Sequence, residues 1–135
     1  MDRLKQRLVT AKRALQTFHR ILGETKSDIV RDAAIQRFEY TFEAVWKTAQ
    51  LYMKEREGLD LGSPKAVIRG FAQLGLLSEQ QIALALAMAD DRNLTVHTYN
   101  ESLAEELYGR LPNYAKLMGG WLHSMSENSA SLWPQ

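Results

Sequence analysis

The chain has 135 residues, 45% hydrophobic and 24% charged, which fits a single domain with a real core. It has no cysteine, which rules out disulfides, thiolate zinc sites and cysteine nucleophiles and fits a reducing, cytoplasmic setting. A net charge of +1 argues against a nucleic-acid coat spread over the whole molecule, and no apolar run is long enough to span a bilayer, so no membrane partner is expected.

The charged start, MDRLKQR, does not read as a signal peptide. Leu4, Leu8, Ala11, Leu15, Phe18 and Leu22 then recur in steps of four and three, the stripe of an amphipathic helix. Gly23 is placed to end that helix in the left-handed conformation. Residues 1–20 carry six basic groups, Arg3, Lys5, Arg7, Lys12, Arg13 and Arg20, against the single acid Asp2. Two readings stand: a solvated helix face, or a local landing site for phosphates.

A second helix is expected from about Ser27 to Glu57, with Ser27 or Asp28 as its cap. Ile29, Ala33, Ala34, Phe38, Phe42, Val45, Ala49 and Tyr52 line one face, widened by Tyr40 and Trp46. No proline or glycine interrupts it before EGLDLG. Ser63 then caps a third helix with Pro64 at its first position, and Gly75 ends it. Ser78 and Gln81 form a capping box for a fourth. Ile82, Leu84, Ala85, Leu86 and Met88 make this helix apolar almost all round, which predicts burial on several sides.

A last helix starts near Asn100 and runs through Leu103, Leu107, Leu111, Tyr114, Leu117, Met118 and Leu122, with Pro112 expected to kink or divide it. SMSENSASLWPQ lacks periodicity and reads as a flexible tail over residues 124–135, after one domain over 1–123. No segment alternates like a strand. The expected fold is all-α, an up-and-down bundle of four or five helices with a short hairpin between Ser63 and Asp91.

Between the fourth and fifth helices lies DDRNLTVHTYNES, Asp90–Ser102. Thr95, Val96 and Thr98 are β-branched, and Asn100 is a fresh cap, so a tight, distorted connection is expected. His97 supplies an imidazole, the side-chain type suited to taking or giving a proton in phosphoryl transfer. Arg92 offers a permanent planar fork for phosphate oxygens, and Asn93 can donate to an oxyanion. That set suffices to cleave RNA with no metal and no cofactor: a base takes the ribose 2′-hydroxyl proton, the oxygen attacks phosphorus, and the arginine stabilises the charge. The plainer alternative is that Arg92 and His97 cap carbonyls or pair with Asp90 and Asp91. His19 and His123 are isolated, with no partner at metal-ligand spacing. Glu43 and Lys47 form an i,i+4 surface pair, and Arg37, Glu39 and Asp91 are secondary cleft candidates.

Three blocks, RDAAIQRFEYTFEAVWK (Arg31–Lys47), SPKAVIRGFAQLGLL (Ser63–Leu77) and DRNLTVHTYNESLAEEL (Asp91–Leu107), resemble the nucleotidyltransferase substrate-binding proteins of the HEPN superfamily. The resemblance spans about Leu4 to Leu122. It implies a homodimer that binds a minimal nucleotidyltransferase. In the toxin–antitoxin form it implies a metal-independent ribonuclease acting on RNA through an R-x4-H motif, here Arg92 and His97 with Asn93. The nucleotidyltransferase antitoxin would then silence it by transferring AMP to a tyrosine two residues after the histidine, here Tyr99. The older family description implies instead a non-catalytic, substrate-binding subunit of a two-chain nucleotidyltransferase.

Overall fold

The computed structural model describes residues 2–131. Among them every regular element is helical: α1 Arg3–Leu22, α2 Asp28–Glu57, α3 Pro64–Gln73, α4 Glu79–Leu94, a single 3-10 turn Thr95–His97, and α5 Glu101–Ser131. The long helices α1, α2 and α5 pack on one another, and the α3–α4 hairpin covers α2 and α5. No helix is long and apolar enough to cross a membrane.

Each start is fixed by a side-chain oxygen that accepts from an orphan backbone N–H. Asp2 Oδ1 accepts from Leu4 at 2.9 Å, Ser27 from Val30 at 3.1 Å, and Ser63 from Ala66 at 3.2 Å. At α4 both halves of the capping box form: Ser78 Oγ accepts from Gln81 N at 3.2 Å, and Gln81 Oε1 accepts from Ser78 N at 2.8 Å. Gly58 and Gly75, each at φ 68°, close α2 and α3 in the left-handed region. Gly23 does not: its φ is −84°, and it ends α1 through a tightened turn whose N–H donates to Arg20 O at 3.2 Å.

The core collects α1's stripe with Phe38, Phe42, Val45 and Ala49 of α2 and Leu107, Leu111, Tyr114, Met118 and Trp121 of α5. Phe38 stacks on Tyr114 with ring centres 5.5 Å apart, and Phe71 meets Trp121 edge-on at 5.2 Å. Ile29 stands outside this face at 82% exposure. It lies nine positions before Phe38, roughly two and a half helical turns, so it points the opposite way. Arg31 is buried in its stead.

Three further expectations are corrected. Ile82, Leu84 and Leu86 are only half-buried, because α4 buries one face, Ala85, Met88 and Ala89, against the bundle. Pro112 does not divide α5; it is exposed, and the helix runs on past it. Residues 124–131 continue α5 rather than fraying at Ser124, since Met125 is fully buried and Ser126 Oγ donates to Leu122 O at 2.9 Å. The remainder of the expected tail, residues 132–135, lies outside the described residues.

Candidate functional site

The connection from α4 to α5 is pinned at both ends. Upstream, buried Asp91 accepts from Arg110 Nε at 2.7 Å, from Arg110 Nη2 at 3.1 Å and from the Tyr114 hydroxyl at 2.5 Å. Burial, then the bond to Asp91, pushes the Tyr114 phenol above its usual range, and the same carboxylate raises Arg110. Asp91 thus ties α4 to α5 within the bundle.

Downstream, Arg31 of α2 holds the first turns of α5. Its Nη1 is 3.0 Å from Glu105 and 3.6 Å from Glu101, its Nε donates to Asp32 at 3.0 Å, and Lys26 reaches Glu105 at 2.5 Å. The hydrogen bonds to Asp32 and Glu105 hold the Arg31 guanidinium above its ordinary range, and Lys26 followed by Arg31 lowers the Glu105 carboxyl. Asn100 Oδ1 caps α5 by accepting from Leu103 N at 3.2 Å.

Between these anchors the chain makes its 3-10 turn. The Thr95 hydroxyl is 2.8 Å from Arg92 O and 3.2 Å from Glu39 Oε2, and it donates to one of them at a time. Thr98 Oγ1 donates to Thr95 O at 3.2 Å. These local bonds take up the β-branched residues and turn Val96, His97 and Tyr99 outward. His97 Nδ1 lies 3.3 Å from the Tyr99 hydroxyl, with the rings edge-on at 5.9 Å, and Tyr99 is 82% exposed.

Arg92 takes a different direction. Its Nη2 lies 3.1 Å from Glu43 and 3.9 Å from Glu39 on α2, and its buried Nε has no hydrogen-bond partner. Beside it opens a cleft of about 490 Å³ lined by Phe42, Glu43 and Trp46 of α2, Ser63, Pro64 and Lys65 at the start of α3, and Ala89, Arg92 and Asn93 of α4. The Trp46 indole N–H donates to Glu43 Oε2 at 3.3 Å, and Lys65 pairs with Asp90 at 2.6 Å.

The fold therefore brings Arg92, Asn93 and Glu39 to one side of the junction and His97 with Tyr99 to its outer tip. Among the described residues no hydrogen bond or ion pair joins the two groups. Arg37 turns to α1, donating from Nη1 to Thr17 O at 2.8 Å, and Asp91 is committed to Arg110 and Tyr114. Among the described residues no group of three or more His, Asp and Glu could hold a metal ion.

Residue pattern alone does not mark Glu43, Trp46 and Lys65 as site residues. Glu39 and Glu43 are spaced i,i+4, which places two carboxylates on one helical edge and is the available signal for an arginine partner.

A family model described as nucleotidyltransferase substrate binding protein like matches residues 6–127. The chain belongs to that family. This nucleotidyltransferase substrate-binding-like protein is 53% identical to a Thermus thermophilus protein of known crystal structure, with a TM-score of 0.82 over 85% of this chain and 98% of that one. A Haemophilus influenzae protein, whose structure is described as revealing the fold of a substrate binding domain of a nucleotidyltransferase, is 20% identical with a TM-score of 0.64, covering 91% of this chain and 96% of that one. At that identity the likeness to the Haemophilus protein is one of fold. No curated protein matches the chain significantly.

Proposed function

We propose that this chain is the substrate-holding helical subunit of a two-chain nucleotidyltransferase whose catalytic subunit is a separate protein. The observation that carries the reading is the family match across 6–127, and the cleft beside Arg92 supplies a place for a substrate. A concave, partly apolar hollow with a few converging polar groups is the usual form of a small-molecule site. The exposed turn at Val96–Tyr99 is the surface offered to the catalytic subunit. Incubating the two chains with labelled ATP tests this: label on a small molecule, dependent on both chains, supports it.

A second reading is favoured by the contact between His97 and Tyr99. Here the chain is a homodimeric ribonuclease toxin that uses Arg92, Asn93 and His97 on RNA without metal, and the nucleotidyltransferase is its antitoxin, placing AMP on Tyr99. The 3.3 Å approach of Nδ1 to the phenol would let a bulky anion on Tyr99 crowd the imidazole, with no relay through the fold. Its expected products carry 2′,3′-cyclic phosphate ends in the presence of EDTA, and His97→Ala should abolish them. Equal residual cleavage by wild type and His97→Ala would remove this reading.

A further inference from the structure

We infer that the outer face of α1 docks the phosphate backbone of a nucleic acid, with one phosphate seated in the hollow between Arg3 and Arg7. Neither reading above uses this face. α1 packs on α2 and α5 alone, so it lies away from the α3–α4 hairpin and from the cleft beside Arg92.

Charge sets this helix apart. Residues 1–20 hold six basic groups against one acid, while the rest of the chain holds eleven against fifteen, so the positive charge is gathered at α1. The one acid, Asp2, is the N-cap, and Arg3–Leu22 contains no carboxylate at all. Surface helices commonly interleave acids and bases at i,i+4, as Glu43 and Lys47 do on α2. Nothing of the kind neutralises α1. Arg3, Arg7, Lys12, Arg13 and Arg20 are exposed, and their charged groups enter no ion pair or hydrogen bond among the described residues.

Shape and chemistry select the partner. Arg3 and Arg7, about one helical turn apart, flank a hollow of about 300 Å³ in the α1–α2 groove, lined otherwise by Gln6, Thr10, Ala44 and Thr48. No carboxylate lines it, so a phosphate there meets two guanidinium forks with the Gln6 amide and Thr10 hydroxyl as further donors. Arg13 and Arg20 stand further along the exposed surface. At 1.5 Å per residue Arg3 and Arg20 are about 26 Å apart along the axis, a length suited to a chain of phosphates rather than to one small anion. A protein partner fits less well: Val9 is the one large apolar side chain exposed on α1, whereas protein interfaces are built round an apolar or aromatic core. No Phe, Tyr or Trp of α1 is exposed for bases to stack on, so the contact is with the backbone and independent of sequence.

The test is fluorescence anisotropy of a labelled DNA single strand of about 20 nucleotides, titrated with the purified full chain across a salt series, alongside RNA of matching sequence and polyglutamate. The DNA lacks the 2′-hydroxyl, so docking is read apart from any cleavage. A Kd of about 1–100 μM at low salt is expected, with log K falling against log[salt] at a slope near −3 for about four phosphate contacts. Arg7→Gln and Arg13→Gln should each weaken binding severalfold and shrink that slope by about 0.7. Substituting Arg3, Arg7 and Arg13 together by Gln should abolish binding, while Arg69→Gln, exposed on α3, leaves it unchanged. Circular dichroism on each variant separates lost binding from lost fold, and Arg13→Glu, at an exposed position, is a second variant expected to bind more weakly than Arg13→Gln. Absence of saturable binding at low salt, binding that survives the triple substitution, or polyglutamate competing as strongly as the nucleic acid would overturn the inference. No nucleotidyltransferase is present in this assay, so its failure leaves the labelled-ATP result standing, and failure of that labelling leaves this one standing.

Discussion

The hydroxyl of Tyr114 donates to Asp91 at 2.5 Å inside the bundle, and the same carboxylate receives two nitrogens of Arg110. One buried acid thereby fixes the last turn of α4 against α5, and with it the direction in which Arg92 leaves the helix. Asp91→Ala strands the Tyr114 hydroxyl and one face of Arg110. Because Arg110 is half-exposed and can rehydrate, the cost should sit near the lower end for a broken buried pair, about 3 kcal/mol in urea unfolding. Tyr114→Phe, which leaves the Asp91–Arg110 pair in place, should cost about 2 kcal/mol.

The raised phenol sets an alkaline limit. Tyr114 stays protonated in the fold beyond its ordinary pKa of 10.0, so the unfolded chain releases that proton first. The stability is present below that pH and is lost as pH rises above it. Thermal midpoints should therefore fall more steeply on the alkaline side for wild type than for Tyr114→Phe.

Acid acts at the other anchor with the opposite sign. Glu105 is lowered below its ordinary 4.5 by Lys26 and Arg31, so the stabilisation is full above that value and is lost as pH falls through the depressed one. Glu105→Gln should lower the melting temperature at neutral pH and flatten its decline between neutral pH and acid.

Thr95 tests how the turn is aimed. Thr95→Val keeps shape and β-branching but removes the hydroxyl shared between Arg92 O and Glu39. A loss of about 1 kcal/mol is expected, with the bundle intact by circular dichroism. The informative readout is the substrate turnover or RNA cleavage of the variant, which should fall if the turn's orientation matters to the site.

Much of the fold is legible in the chain because its signals are local. Ser27, Ser63 and the Ser78–Gln81 box are where their caps form, and the apolar stripe of α1 is the buried one apart from the exchange of Leu22 for Ile21 at its end. What local pattern misses depends on neighbours. Arg31 occupies a buried position in α2's register because Glu101 and Glu105 arrive from the far end of the chain to neutralise it. Residues 124–131 stay helical despite their polarity because Met125 has a core to enter.

The junction at Arg92–Tyr99 is readable as a candidate site from its residue types, and a tight connection there from the β-branched run. Its division is not. That Arg92 reaches back to Glu43, while His97 and Tyr99 turn outward, depends on where α2 passes, as do Trp46 and Lys65 joining the cleft from separate helices.

The most direct measurement is the fate of the label when this chain, its nucleotidyltransferase partner and α-labelled ATP are mixed with cell-extract metabolites. A substrate-holding subunit predicts label on a small molecule, requiring both chains and unaffected in position by Tyr99→Phe. Label confined to the protein and abolished by Tyr99→Phe would contradict the substrate-holding reading in favour of the ribonuclease one, and no transfer to either would contradict both.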